Sequence, residues 1–362
     1  MSIGAKVSSG PHNLRDWQLR AETVLDPATF GYIVGGAADE RTMRDNEQAF
    51  GRLRLIPRVL RGTAAGVDST SHVLGARLHG PILVAPFAYQ GAFHADGELA
   101  TARAAREAGL GMCLSTLANT AIEEVAAESG EGLRLFQLYP MADPGLNREM
   151  LACAKDAGYR ATIVTVDLPP YGVRERELVD PFVLPEHLGL PCIPQRSAGA
   201  GSPTPAQTSE MMKLDLSWDD IAGWAGESGL PVIVKGVLAA EDAVLAREHG
   251  AAGVIVSNHG GRQLDTAVAT VDALPAIADA LGGELELWLD GGVRRGTDVV
   301  KALALGARAV LVGRPVAYGL AAAGADGVGA VLSQLLAEMR NAMALCGART
   351  LSELGPGLLA PR

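Results

Sequence analysis

No stretch of this sequence approaches the roughly 18 consecutive apolar residues of a membrane-spanning helix. The opening M-S-I-G-A-K-V-S-S-G-P-H lacks the apolar core of a secretory signal. A cytoplasmic protein without a membrane partner is expected. Basic residues are in deficit: 31 Lys and Arg stand against 41 Asp and Glu, for a net charge of -10 and a pI near 5.2. That excludes an extended nucleic-acid surface, which needs clustered cations facing phosphates. Each local group of arginines therefore needs its own explanation. Cysteines are few and scattered. Cys113, Cys153, Cys192 and Cys346 form neither a C-x-x-C pair nor a zinc set, and read as reduced thiols with no metal.

What the chain does have is apolar material in short pieces. Hydrophobic residues make up 48% and charged residues 20%, enough for a sizeable core. Eight β-rich runs recur, at 81–86, 110–114, 133–138, 161–166, 231–234, 252–256, 285–289 and 309–312. They are apolar almost throughout instead of alternating, as parallel strands covered on both faces must be. Helix-like stretches at 97–109, 121–129, 144–158, 239–250, 271–281 and 297–306 separate them, the last with Thr297 as N-cap and Gly306 as stop. Eight alternating units predict one α/β domain, a (β/α)8 TIM barrel, with an open doubly wound sheet as the alternative.

Around this barrel, taken as 81–346, residues 1–80 are expected to form a helical cap and 347–362 a tail, with 328–346 as the closing helix. The fourth connection, 167–216, is far longer than the others. It carries Pro185, Pro191, Pro194, Pro203 and Pro205 and the tract S-A-G-A-G-S-P-T-P-A-Q-T-S. It is either an active-site lid or an irregular surface insertion.

Barrel chemistry sits where strands end at their C-terminal side. Beyond the eight runs stand Pro86, Phe87 and Ala88; Ser115; Gln137 and Tyr139; Thr165 and Asp167; Lys235; S-N-H-G-G-R-Q-L-D (257–265); D-G-G-V-R-R-G (290–296); and V-G-R-P (312–315). The last two clusters put Gly292 and Gly313 beside Arg294 and Arg314 after strands seven and eight, which predicts a phosphate site. His259 and Arg262 pair a group that titrates near neutrality with a permanent cation shaped for a carboxylate. Asp167, two strands away, can orient the imidazole, or can be a helix cap or loop solvator.

These segments, with G-E-L-A-T-A-R-A-A (97–105) and L-P-V-I-V-K-G (230–236), resemble the FMN-dependent L-2-hydroxy acid oxidase and dehydrogenase family from about 28 to 348. The resemblance implies FMN as cofactor, a 2-hydroxy acid as substrate and a homotetramer. It implies that Tyr32, Arg174 and Arg262 hold the substrate carboxylate, that Tyr139 meets the hydroxyl, and that His259, paired with Asp167, is the base. Lys235 would sit beside the flavin N1/C2 carbonyl. Ser115, Gln137, Thr165 and the backbone of Pro86, Phe87 and Ala88 would hold the ring, with Ser257 on the same edge as His259. Asp290, Gly292, Arg294, Gly313 and Arg314 would take the ribityl chain and phosphate.

Three positions depart from well-known members. Leu117 replaces the tryptophan of glycolate oxidase, Val173 replaces an arginine before Arg174, and Asp180-Pro181 precede Phe182. Loss of the indole predicts a larger side-chain pocket and an aryl acid such as mandelate or 4-hydroxymandelate. V-A-P-F-A-Y-Q and C-L-S-T-L resemble hydroxymandelate oxidase. Alternatively, Phe87 or Tyr89 fills the space. Ala88, where oxidases of the family have alanine and several dehydrogenases or monooxygenases have glycine, points to O2 as acceptor. Competing readings are a dehydrogenase or monooxygenase acting on lactate-like acids, another phosphate-binding barrel, and a flavin-binding protein without catalysis.

Overall fold

A computed structural model describes residues 10–194, 208 and 210–361. Three helices lead: α1 (Leu14–Val24), α2 (Pro27–Val34) and α3 (Arg41–Arg52). Asn13 caps α1 by accepting from the N–H of Arg15 and Asp16, and Asp26 caps α2 through Thr29, with Pro27 at the first helical position. A hairpin of β1 (Ser71–Val73) and β2 (Ala76–Leu78) follows, turning through Leu74 and Gly75, both at positive φ. The described residues before the barrel, 10–80, therefore form a helical cap plus a hairpin that hydropathy did not announce.

The eight expected strands form one closed, parallel barrel: β3 (Ile82–Val84), β4 (Gly111–Ser115), β5 (Arg134–Leu138), β6 (Thr162–Thr165), β7 (Val232–Val237), β8 (Gly253–Val256), β9 (Glu286–Leu289) and β10 (Ala309–Val312), with β10 closing onto β3. The near-continuous apolar runs have a simple cause. Alternate residues serve two cores: Leu83, Cys113, Leu135, Ile163, Ile233, Ile255, Trp288 and Leu311 fill the barrel interior, while Ile82, Val84, Met112, Phe136, Val164, Val234 and Val254 pack under the helices. Val73 and Leu78 of the hairpin join the interior cluster, so the hairpin plugs the end where the strands begin.

The outer ring is α4 (Gly97–Glu107), α5 (Ile122–Ser129), α6 (Pro144–Asp156), the short α7 (Glu175–Val179), α8 (Trp218–Ser228), α9 (Ala240–Glu248), α10 (Thr270–Leu281), α11 (Gly296–Ala304) and α12 (Arg314–Cys346). Thr297 is not the cap of α11. That helix starts at Gly296, and the Asp298 carboxylate accepts from the N–H groups of Arg294 and Arg295 at 3.0 and 2.9 Å; Gly306 (φ +107°) does lie just beyond its end. By length and composition α12 is apolar enough to cross a membrane, which amends the expectation that no segment is. It breaks at Ala323–Gly324 and buries one side against α1, α4 and α11, as a core helix does.

The long fourth connection contains α7 and returns beside the exit of β5, where Met141 bridges Met212 and the Lys213 N–H donates to the Pro140 carbonyl. Its Pro/Ser/Gly tract lies largely outside the described residues.

Candidate active site

The strand ends meet in a cavity lined from the ends of β3, β4, β5, β7, β8, β9 and β10. Its floor is a polar row set by strand register, since Ser115 pairs with Gln137 across β4–β5 and Thr165 with Lys235 across β6–β7. The Ser115 hydroxyl donates to Gln137 Oε1 at 3.2 Å, Gln137 Nε2 donates to the Thr165 hydroxyl at 2.9 Å, and Lys235 Nζ donates to Ser257 Oγ at 3.1 Å. Ser115 and Lys235 line the cavity; Gln137, Thr165 and Ser257 lie buried directly beneath it. Glycine is obligatory at the bulge position Gly236 (φ +117°), because a Cβ there would stand 2.6 Å from Asp167 Cβ.

His259 sits in the left-handed region (φ +57°), a conformation uncommon outside glycine and asparagine, held by a bond from its N–H to Ser257 Oγ at 3.1 Å. Its Nδ1 meets Asp167 Oδ1 at 2.9 Å and its Nε2 meets the Tyr139 hydroxyl at 3.4 Å. The carboxylate fixes the proton on Nδ1, so Nε2 faces the cavity as an acceptor. Burial pushes the imidazole below its usual 6.5; Asp167 pulls it back up, and Lys235 adds to the lowering. For Asp167, burial works against ionisation, but the charges of His259 and Lys235 prevail and hold it below 3.8. The resting state is a neutral histidine on an ionised aspartate. Burial also opposes the charge on Lys235, yet Asp290 and Asp167 outweigh it and keep the ammonium firmly protonated.

At the other end, Asp290, Gly291, Gly292, Val293 and Arg294 face Gly313 and Arg314 across the cavity. The glycines serve packing as much as an anion: a Cβ on Gly292 (φ +81°) would stand 2.1 Å from the Asn46 carbonyl of α3. Asn46 and Asn258 exchange a reciprocal pair of amide bonds, 2.8 and 2.9 Å, that ties the cap to the His259 loop. Arg314 is partly buried and donates to the carbonyls of Ile33, Gly35 and Gly260 at 3.0, 2.7 and 2.8 Å; desolvation, with Arg262 nearby, pulls it down to about 10. Arg294 pairs with Glu47 at 2.9 Å.

The group FMN fits this cavity on two observations. Asp290 keeps a buried Oδ1 with no hydrogen-bond partner, an acceptor waiting for hydroxyl donors. Beside it, two guanidiniums and the N-terminus of the long helix α12 converge on one end.

Not every expected residue reaches the cavity. Tyr32, Tyr139, His259 and Arg262 line it, but Arg174 does not. Arg174 is 5% exposed and turned to Tyr171 (hydroxyl 2.7 Å, ring 4.1 Å) and Glu177 (3.2 Å). Arg262 donates to the carbonyls of Tyr32 and Gly35 and also to Glu177 at 3.1 Å, with the Tyr32 ring 4.9 Å from its guanidinium carbon. Leu117 is buried and off the cavity wall. Its neighbourhood holds three of the six Phe and two of the six Tyr: Tyr32 stacks on Phe182 at 4.6 Å, and Tyr89, Phe87 and Phe93 complete the cluster. Tyr89, 2% exposed, donates its backbone N–H to the Leu117 carbonyl at 3.0 Å. Glu177 and the Asn46–Asn258 pair escaped notice in the sequence.

The model of the FMN-dependent dehydrogenase family matches residues 21–361. Among curated relatives, an L-lactate oxidase of Nostoc sp. is 44% identical, covering 97% of this chain and 98% of the relative. Glycolate oxidase 1 of Zea mays is 45% identical, covering 94% of each. A crystal structure of mandelate oxidase with (S)-4-hydroxymandelic acid superposes with a TM-score of 0.89 at 40% identity, over 96% of this chain and 98% of that one. With a closed parallel barrel and a cavity furnished for a phosphate at one end and an acid at the other, the chain belongs to the FMN-dependent dehydrogenase family.

Proposed function

We propose that this protein oxidises an L-2-hydroxy acid to the 2-oxo acid, passing electrons to O2 to give H2O2. The observation that carries the reading is the Asp167–His259–Tyr139 chain, 2.9 and 3.4 Å, ending in the cavity that Arg262 also lines. Arg262, with Arg174 behind it, binds the carboxylate. The Tyr139 hydroxyl orients the substrate's hydroxyl, and His259 takes the proton the substrate loses at Nε2. Asp167 holds Nδ1–H and stabilises the imidazolium that results. FMN, when bound, supplies the two-electron acceptor. Ser115, Gln137, Thr165 and the backbone of Pro86–Ala88 would hold its ring, Lys235 would place a positive charge beside it, and Asp290, Arg294, Gly313 and Arg314 would hold its polyol and phosphate.

An aryl acid is the favoured substrate. The aromatic cluster around Tyr32 and the likeness to mandelate oxidase support it; Leu117 does not, being off the cavity wall. The test is anaerobic flavin bleaching with mandelate, 4-hydroxymandelate, phenyllactate, lactate and glycolate, followed by air. Fast bleaching by an L-2-hydroxy acid with H2O2 on reoxidation is expected. Flavin that no member of the panel reduces would overturn the reading.

A further inference from the structure

Two buried guanidiniums side by side repel. Burial lowers Arg262 from its ordinary range and the charge of Arg174 lowers it further. The protein answers with one carboxylate. Glu177 Oε1 accepts from Arg174 Nη1 at 3.2 Å and from Arg262 Nη2 at 3.1 Å, bridging the pair. The grip assigned to the substrate carboxylate is already closed on a carboxylate of the protein itself. With that bridge in place, Arg174 is held off the cavity wall.

We propose that Glu177 is a resident carboxylate of the acid-binding site, surrendering the arginine pair when the substrate carboxylate arrives. Binding is then an exchange of one carboxylate for another. The route out exists: the Glu177 side chain is 21% exposed, on a helix whose next two residues, Leu178 and Val179, face solvent. The helix need not leave, because Arg176 anchors it to Glu40 of the cap with two bonds of 2.6 and 3.1 Å. Rotation of one side chain suffices. In thermodynamic terms the resident anion lowers apparent affinity for any carboxylate by the fraction of molecules in which it holds the arginines. A neutral ligand that leaves Glu177 on the arginines carries no such penalty. Glu177 is thus a positioning residue that acts through Arg174 and Arg262.

This rests on the reading of that pair as the carboxylate grip, and wild-type flavin bleaching tests that separately. For the exchange, the FMN-loaded enzyme and the variants Glu177→Gln and Glu177→Ala are titrated with benzoylformate and its neutral primary amide, following the flavin spectrum; pyruvate and pyruvamide replace them if the aryl pair does not bind. Gln keeps an acceptor without the charge, and Ala removes both. Expected is about tenfold tighter carboxylate binding in both variants, with amide binding within twofold of wild type, as loss of a competing charge a few ångströms away requires. Unchanged or weaker carboxylate binding overturns the proposal, as does an equal shift for carboxylate and amide. If the Ala variant does not fold, the Gln variant alone decides.

Discussion

At the β9–β10 end of the cavity the polar groups are backbone, glycine, Asp290 and two arginines. At the β6–β8 end a partly buried histidine touches an aspartate on one ring nitrogen and a tyrosine on the other, at 2.9 and 3.4 Å. The first arrangement has fixed charge and can only hold; the second can move a proton. Damage at one end should therefore appear in cofactor binding and at the other in rate, and experiments that fail to separate the two would break the comparison.

The largest effect is expected from His259→Ala, which removes the acceptor for the substrate's proton. Flavin reduction by substrate in anaerobic stopped flow should slow by about 10²–10⁴-fold, the range for loss of a general base. FMN affinity should stay within a few-fold of wild type, because the flavin-phosphate end does not depend on the imidazole. Near-normal reduction would remove His259 from its role.

Asp167→Asn comes next, at roughly 10²-fold on the same measurement. Its sharper signature is in pH. The His259 pKa lies below 6.5, so the base is neutral above that pH and is lost as pH falls through the depressed value. The acid limb of kcat/KM should therefore lie below 6.5. Asp167 raises the imidazole pKa, so removing its charge should move the limb further down. A limb that moves up in the variant contradicts the electrostatics described here.

Gly292→Ala tests the holding end through packing. A Cβ at 2.1 Å from the Asn46 carbonyl, on a residue at φ +81°, cannot be accommodated without displacing α3. Strain of this kind costs about 1–3 kcal/mol. Thermal unfolding and FMN affinity should both suffer, while substrate reduction of the enzyme that remains loaded should be near normal.

The two ends also differ in how readable they were. Eight apolar runs marked all eight barrel strands, because strands shared between two cores leave no polar positions except at their ends, where polar residues become conspicuous. Asp167, His259 and Lys235 stood out for that reason. The β1–β2 hairpin did not, since three-residue strands are too short to show a period. Thr297 looked like a cap by residue type, but the Asp298 carboxylate reaches the free N–H groups first. Glu177 was invisible for a different reason: whether an acidic residue in a long connection faces water or two arginines is decided by tertiary packing alone. Gly292 was legible as a special position, yet its closest constraint is a helix from the other end of the chain.

The smallest effect separates the two arginines that share the holding end. Arg294 is 24% exposed and already paired with Glu47, itself half exposed, so solvent screens its contribution. Arg294→Met should weaken FMN binding by about three- to tenfold, less than the ~1.5–3 kcal/mol of a buried charged hydrogen bond. That loss should shrink as salt rises from low to high ionic strength, where exposed charges no longer act beyond about 3 Å. Arg314 is different in kind. Its partly buried guanidinium is held on three carbonyls, two of them at the end of α2 and one in the His259 loop, so Arg314→Met removes a charge that salt screens less well and a tie between cap and barrel. Its penalty on FMN affinity should be larger and less dependent on salt, with a lower melting temperature. Equal salt slopes for the two variants would mean that burial does not distinguish these arginines, and that the holding end is organised by charge alone.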